Sequence, residues 1–233
     1  MAKSFVPVVN SRLSLTTENA GDAASQNSKL SVCLQLAAAF VLLEAALWTR
    51  PGVLDAIWIV SASGFVIACA VVGKFTAREM GLRRPSMRET LLIVLAGGIL
   101  AAAIPLLSSV AGTDIPPTHS LPFNIAWKYA IWAFFQQFLL QSFFFLRLES
   151  LIGGRWAVIG TALLFASTHI PNPVLSLLCL FGGLFFCEMF RRFRSLLPLG
   201  VAHAVLGLTI AASFSDVLIR HMRVGIGYLI LHV

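Results

Sequence analysis

Long apolar runs are the feature of this sequence that most restricts its fold. The hydrocarbon core of a bilayer is about 30 Å thick, and a helix needs about 20 mostly apolar residues to cross it. Strands of a membrane β-barrel would be segments of about ten residues with alternating polarity, a pattern these runs lack. The sequence therefore predicts an all-α fold, a polytopic membrane helix bundle of about seven transmembrane helices, within a range of six to eight. The predicted helices cover residues 30–48, 54–75, 90–110, 124–148, 155–170, 173–190 and 196–219.

The composition leaves no room for a separate soluble domain. Hydrophobic residues make up 58% of the 233 residues and charged residues 12%, and the mean hydropathy is +0.87, far above that of a soluble globular domain. We therefore predict one membrane-embedded helical domain over residues 30–233. Residues 1–29 are polar, rich in Ser, Thr and Asn, and contain no apolar signal region. They are predicted to form a disordered cytoplasmic tail.

The positive charges indicate how the helices are oriented. A net charge of +7 alone would fit either nucleic acid or anionic lipid as a partner. Most basic residues lie in alternate short links, whereas the links over residues 111–123 and 170–173 carry none, which is the positive-inside pattern. Arg50, Arg220 and Arg223 depart from this pattern. We expect a cytoplasmic amino terminus, a lipid bilayer as partner, and no nucleic-acid partner, because no basic aromatic platform is present. The topogenic residues are Lys74, Arg78, Arg83, Arg84, Arg88, Arg147, Arg155, Arg191, Arg192 and Arg194.

Polar side chains inside the apolar runs are the candidates for function, because such groups are costly in a membrane. Gln136, Gln137 and Gln141 lie in the fourth run, and the last two share one helix face. Amides of this kind can simply join helices through hydrogen bonds, each worth about 0.6–2 kcal/mol. A site becomes the better explanation because His169 ends the fifth run and His203 lies in the seventh. Imidazoles can orient water, donate to a developing oxyanion or bind metal.

No metal or other cofactor is predicted. HExxH is absent from the sequence, and two histidines with amides are a poor ligand set for zinc, which usually takes three protein ligands in catalytic sites. Cys33, Cys69, Cys179 and Cys187 form no CxxC pair, so a zinc ribbon or a redox couple is not indicated. A GxSG serine-protease motif and a pair of intramembrane aspartates are also missing.

Glu188 has two interpretations. It lies four residues before Arg192, which is the spacing of an ion pair on one helix face. It can also stand at the edge of a polar cavity and act as an acid, because its helix directly precedes the one that bears His203. The sequence alone leaves both open.

The order of these residues resembles that of the CAAX-protease and bacteriocin-processing family of membrane proteins, also called the CPBP or Abi family. Its motifs are EExxxR, FxxxH and HxxxN. Phe165 and His169 match the second motif, and His203 matches the histidine of the third, with Gly207 at the asparagine position. The first motif is degenerate and reads QQFLLQ, with Gln136 and Gln137 at the glutamate positions and Gln141 at the arginine position. The family-like core covers residues 124–219.

This resemblance implies an intramembrane endopeptidase that activates water in a polar cavity and hydrolyses a membrane-tethered peptide, in a bacterial inner membrane. In the family, a glutamate of the first motif and the histidine of the second activate water, and the third motif stabilises the oxyanion. Known family substrates include prenylated carboxyl termini and bacteriocin leaders. The site residues so implied are His169, His203, Gln136, Gln137 and, as a displaced acid, Glu188 for catalysis, with Gln141, Phe165 and Gly207 for substrate binding.

The glutamines also support an alternative. An amide has no useful basicity near neutral pH, and general base catalysis typically contributes a factor of about 10² to 10⁴. A catalytically inactive relative would keep the cavity and act as a membrane binding, scaffold or bacteriocin-immunity protein. A transporter is less favoured, because no inverted repeat is visible.

Overall fold

The chain folds into helices along each of its apolar runs. The structure is a computed structural model that describes residues 11–73, 75–110, 112 and 123–230. In chain order the elements are α1 (Ser11–Trp48), α2 (Val53–Val72), α3 (Met87–Val110), α4 (Phe123–Gln137), a π-helix (Phe138–Phe145), α5 (Leu146–Ile152), α6 (Gly154–Ser167), α7 (Pro173–Phe193), α8 (Leu196–Ser213), α9 (Asp216–Ile219), a 3₁₀ turn (Arg220–Met222) and α10 (Gly225–Ile230).

The predicted helix bundle is confirmed. Within the described residues, six helical stretches are long and apolar enough to cross a membrane, and α6 is a shorter apolar helix. The chain is therefore an integral membrane protein. α1 begins at Ser11, and its first part, residues 11–27, is polar. Residues 1–10 lie outside the described part of the chain. The disordered tail over residues 1–29 stays a prediction. The six stretches are Ser28–Trp48, Val53–Val72, Met87–Val110, Phe123–Ile152, Pro173–Phe193 and Leu196–Ser213.

The fourth run forms one continuous helix, but its hydrogen-bonding pattern changes midway. α4 passes into the π-helix directly after Gln137, and α5 follows. A π-helix bonds residue i to i+5, so its turn is wider than that of an α-helix. Seven of its eight residues are buried, Phe143, Phe144 and Phe145 among them. The wide turn therefore lies in the interior of the bundle, immediately beside the glutamines.

The seventh run ends earlier than the sequence predicts. α8 stops at Ser213, Phe214 adopts an extended conformation (φ −106°, ψ 144°), and a separate short helix begins at Asp216. Hydropathy alone does not mark this break, because Phe214 is apolar and the sequence stays apolar on average. Serine and aspartate, however, bond to nearby backbone and favour helix ends, and the segment reads Ser-Phe-Ser-Asp. The prediction of one helix over residues 196–219 was wrong at this point.

Small residues set the closest helix contacts. α6 packs against α7, and both α3 and α4 pack against α8. A Cβ added to Gly183 of α7 would lie 3.0 Å from the Ala162 Cα of α6, and one added to Gly97 of α3 would lie 2.9 Å from the Ala202 Cβ of α8. Small residues let membrane helices approach closely when no hydrophobic force drives them together. These contacts fix α8, which carries His203, and α6, whose end is followed by His169.

Arg147 joins α5 to the first two helices. Its side chain is buried, and its Nε donates to Gln35 Oε1 of α1 at 2.9 Å while its Nη2 donates to the Cys69 carbonyl oxygen of α2 at 3.2 Å. The guanidinium also lies 3.8 Å from the ring centroid of Phe143, a cation–π distance. Arg147 thus acts as an internal connection between helices rather than as an exposed charge of a link.

Candidate active site

A cavity of about 830 Å³ lies between the helices, reaching from the middle of α4 and α8 to the amino-terminal turn of α2 and to residues 222–224. Most of its wall is apolar, contributed by side chains such as Phe40, Leu107 and Phe181. Volumes of this size are typical of sites for small ligands or short segments. The polar side chains on its wall are Asp55, Ser63, Tyr129, Gln136, Thr168, His169, Cys179 and His203.

His203 is connected to a short chain of amides behind the wall. Its Nδ1 lies 3.0 Å from Gln137 Nε2. Gln137 Oε1 in turn accepts a hydrogen bond of 3.2 Å from Gln141 Nε2, which also lies 3.7 Å from the Cys187 Sγ. Both glutamines are fully buried. The two amides are therefore positioned to hold the imidazole rather than to touch a ligand.

This contact determines which nitrogen of His203 carries the proton. An amide NH₂ group can only donate, so Nδ1 of His203 must accept. The neutral ring then keeps its proton on Nε2. His203 lines the cavity and stacks on Phe186, with ring centroids 5.0 Å apart. His203 accordingly offers an N–H donor at the nitrogen that Gln137 does not hold.

His169 has the opposite arrangement. Its Nδ1 lies 2.7 Å from the carbonyl oxygen of Phe165, one turn earlier in the chain. A carbonyl can only accept, so Nδ1 donates and carries the proton. The Thr168 hydroxyl donates to the same carbonyl at 2.8 Å. Nε2 of His169 is left with a free lone pair, which can accept a proton.

The two imidazoles both pack against the ring of Phe165. The Phe165 ring centroid lies 4.8 Å from that of His169 and 5.9 Å from that of His203, with both pairs in edge-to-face geometry. All three residues line the same cavity. The cavity thus contains one nitrogen that can accept a proton and one that can donate a hydrogen bond. Hydrolysis of a carbonyl compound needs both kinds of group.

The structure brings most of the predicted site residues together, in two layers. Gln136, Phe165, His169, His203 and Gly207 line the cavity. Gln137 and Gln141 do not line it and lie behind His203, in the hydrogen-bonded chain described above. No group of three or more His, Cys, Asp or Glu side chains able to hold a metal ion is present in the described part of the chain.

Glu188 must be removed from the predicted set. Its carboxylate accepts hydrogen bonds from Arg191 Nε at 2.8 Å and from Arg192 Nε at 2.5 Å, and the side chain is partly exposed near the end of α7. It does not line the cavity. The ion-pair interpretation of its spacing was correct, and the displaced-acid interpretation was wrong, because two guanidinium groups on its own helix hold the carboxylate away from the histidines.

Two cavity residues were missed from the sequence. Asp55 falls at the start of the predicted helix over residues 54–75 and was not proposed as a site residue, but it lies in the first turn of α2 and contributes to the wall. Tyr129 falls within the predicted helix over residues 124–148 and was not proposed either. It lies seven positions before Gln136, two helical turns away and on the same face, and this spacing could have identified it.

Residues 118–209 match the model of the family described as type II CAAX prenyl endopeptidase Rce1-like. Neither the curated proteins nor the solved structures gave a significant match to this chain. The matched segment contains α4, the π-helix and α5 to α7, together with most of α8, and therefore both cavity histidines and all three glutamines. Over these residues the chain is similar to the CAAX-protease and bacteriocin-processing (CPBP/Abi) family of membrane proteins, and the match supports membership of that family.

Proposed function

We propose that this protein is an intramembrane endopeptidase that hydrolyses a membrane-tethered peptide in the cavity, with His169 as the general base. The observation that carries the proposal is the pair of imidazoles lining one cavity, with Nδ1 of His203 held by an amide nitrogen and Nδ1 of His169 held by a carbonyl oxygen. The match to a family of type II CAAX prenyl endopeptidases supports the reaction class. A carboxylate base in the first motif is not required, because Nε2 of His169 is free to accept a proton.

The proposed reaction begins with a water molecule hydrogen-bonded to Nε2 of His169. The nitrogen takes a proton as the water oxygen attacks the carbonyl carbon of the scissile peptide bond. The carbonyl oxygen becomes an oxyanion and accepts a hydrogen bond from Nε2–H of His203. The tetrahedral intermediate then collapses, the C–N bond breaks, and the leaving amine receives the proton held by His169. Gln136, whose side chain lines the cavity, positions water or substrate through its amide.

Gln137 and Gln141 have a supporting role in this scheme. Gln137 holds Nδ1 of His203 as an acceptor, and Gln141 orients the Gln137 amide by donating to its oxygen. This keeps the proton of His203 on Nε2, where the oxyanion needs it. Because His169 supplies the base in this scheme, a glutamine at position 137, where the family has a glutamate, does not by itself remove the hydrolytic chemistry.

The proposal is tested by cleavage of a membrane-tethered peptide in detergent or in liposomes. We expect His169→Ala and His169→Gln to lower the rate by a factor of about 10² to 10⁴, the usual contribution of general base catalysis, and His203→Ala to lower it by about 10² to 10³, the usual cost of losing an oxyanion donor. His221→Asn is the control, because His221 is half-exposed, pairs with Asp216 at 2.9 Å and has a positive φ of 51°, which asparagine tolerates.

Two results would overturn the proposal. One is turnover that survives both His169→Ala and His203→Ala. The other is a wild-type protein that binds the peptide but forms no product above a buffer control, which would favour a non-catalytic membrane binding or scaffold protein. In wild-type protein that does cleave, the rate should also fall in acid, because protonated His169 has no lone pair left to accept the proton from water.

A further inference from the structure

The ring of Tyr129 occupies the space beside Gly207. A Cβ added to Gly207 would overlap the Tyr129 hydroxyl and the adjoining ring carbons. α4 and α8 pack against each other along this contact. Because Gly207 has no side chain, the Tyr129 hydroxyl of α4 can lie directly against the backbone of α8.

The hydroxyl of Tyr129 makes no hydrogen bond within the described part of the chain. Tyr129 is half-buried and lines the cavity, and no hydrogen bond from its hydroxyl to another residue of the described ranges is present. A hydroxyl in an apolar cavity that lacks a partner is costly. A phenol is also a neutral donor near neutral pH. The group is thus available to donate to an acceptor that enters the cavity.

The position of this hydroxyl relates it to His203. Gly207 follows His203 by one helical turn, so the two positions share one face of α8, with side-chain origins about 5–6 Å apart. The hydroxyl lies where a side chain at position 207 would begin. His203 and Tyr129 therefore present two donors from adjacent turns of the same cavity wall, one an imidazole N–H and one a phenolic O–H.

We propose that Tyr129 is a second donor to the carbonyl oxygen that His203 polarises, and that Gly207 provides the space for it. This inference rests on the proposed peptidase function for the reaction step, but the contact with a ligand carbonyl does not depend on cleavage. As negative charge develops on that oxygen, a donor already in place needs no reorganisation and becomes more stabilising. Tyr129 would then contribute to the rate more than to ground-state binding.

The direct test is Tyr129→Phe, which removes the hydroxyl and keeps the ring. We expect kcat for cleavage of the tethered peptide to fall by a factor of about 10² to 10³, as for other single oxyanion donors, while KM changes by less than about three-fold. Tyr228→Phe is the matched control, because Tyr228 lies in α10 with Arg220 over its ring and does not line the cavity. An unchanged kcat in Tyr129→Phe would overturn the inference and leave the proposed function standing.

A second pair of variants separates the donor from mere packing. Tyr129→Ala frees the space beside Gly207, and Gly207→Asn added to it places an amide donor on the same turn of α8. We expect this double variant to recover at least about ten-fold of the rate lost in Tyr129→Ala. Gly207→Leu in the same background fills the space with an apolar side chain of similar shape and should recover none. Equal recovery by both would show that filling the space is what matters and would overturn the donor role.

The inference also has a test that does not depend on turnover. If the wild-type protein does not cleave the tethered peptide, the peptidase proposal fails, and binding of a phosphonate analogue of the peptide, whose charged oxygen mimics the oxyanion, is compared for wild type and Tyr129→Phe. A loss of affinity of about ten-fold, the usual size of one good hydrogen bond, would retain Tyr129 as a donor to a ligand oxygen. Equal affinities would overturn it. Thermal unfolding of each variant in detergent verifies that the helix bundle is intact.

Discussion

His169 and His203 carry their protons on different ring nitrogens because different kinds of partner hold their Nδ1 atoms. A backbone carbonyl holds His169, and a side-chain amide holds His203. The first partner is local, since Phe165 precedes His169 by one helical turn. The second comes from α4, which is distant in sequence. One residue type thus supplies both the proton acceptor and the hydrogen-bond donor of the proposed reaction.

Gln137 offers the residue-scale test of this assignment. We expect Gln137→Leu to lower the cleavage rate by at least about ten-fold, because His203 loses the donor that keeps its proton on Nε2, a loss comparable to one buried hydrogen bond. We expect Gln137→Glu to raise the rate by no more than about ten-fold, because His169 already supplies the base. Both rates are measured with the tethered peptide. A rise of about 10² to 10⁴ in Gln137→Glu, the size of a general-base contribution, would show that the wild type lacks its base.

At this scale the sequence predicted the identities of the site residues better than their roles. Phe165, His169, His203 and Gln136 do line one cavity. The proton positions could not be predicted, because they depend on contacts between helices whose rotation is unknown from sequence. Tyr129 was missed because an aromatic residue in an apolar run is ordinarily part of the packing.

The segment between α6 and α7 carries His169 and is fixed by hydrogen bonds to α7 and to the short elements after α8. Asn172 accepts from the Leu175 backbone N–H at 3.1 Å and so caps α7, as asparagine commonly does at helix starts. Its Nδ2 donates to the carbonyl oxygens of Ile219 at 2.7 Å and Arg223 at 3.2 Å. The Gly225 N–H donates to the Ile170 carbonyl at 2.9 Å. The short elements after α8 are therefore fastened to the residues that follow His169.

Two substitutions at Asn172 separate the cap from these longer connections. We expect Asn172→Ala to lower the free energy of unfolding by about 2–4 kcal/mol, since it removes the cap and leaves buried backbone groups without partners. Asn172→Ser keeps a cap acceptor for Leu175 without introducing a charge but loses both donors, so it should cost less than Asn172→Ala. Unfolding in detergent measures both. If Asn172→Ala were neutral, the described hydrogen bonds would contribute nothing to stability.

Hydropathy predicted where the elements lie, because the length of an apolar run is a direct consequence of bilayer thickness. It did not predict the change to a π-helix after Gln137 or the break at Phe214, because both are changes of backbone conformation inside uninterrupted apolar sequence. α6 is short because Pro171 and Pro173 follow its end, and its carboxyl-terminal end reaches the cavity.

At the scale of the whole molecule, the helices form a bundle around one largely apolar cavity with its polar groups in the middle. Charged residues gather where α2, α5 and α7 end, and several are paired there, for example Arg83 with Glu89 at 2.6 Å and Arg194 with Glu149 at 2.5 Å. We propose that this end faces the cytoplasm of a bacterial cell and that Asp55 lies at the opposite end. The sidedness follows from charge alone and stays a prediction.

Cysteine labelling can determine which end of the helix bundle faces the cytoplasm. Arg50 and Arg84 are both exposed and lie in links at opposite ends of α2, so Arg50→Cys and Arg84→Cys are matched changes in a variant whose native cysteines are replaced by alanine. We expect an impermeant maleimide to label Arg50→Cys in intact cells and Arg84→Cys only after the membrane is opened. The reverse pattern would invert the proposed orientation and place Asp55 on the cytoplasmic side.

The π-helix makes the fold depend on the number of residues between Phe138 and Phe145 more than on their identities. Each residue of a helix turns the chain by about 100° and advances it by about 1.5 Å. A deletion of one residue between Phe138 and Phe145 would leave the Gln137 contact with His203 in place but rotate everything beyond it. Arg147 would then point away from Gln35 and Cys69. Substitutions of similar size in this segment should therefore disturb the fold less than a gain or loss of a single residue, which would separate the site from the helices that support it.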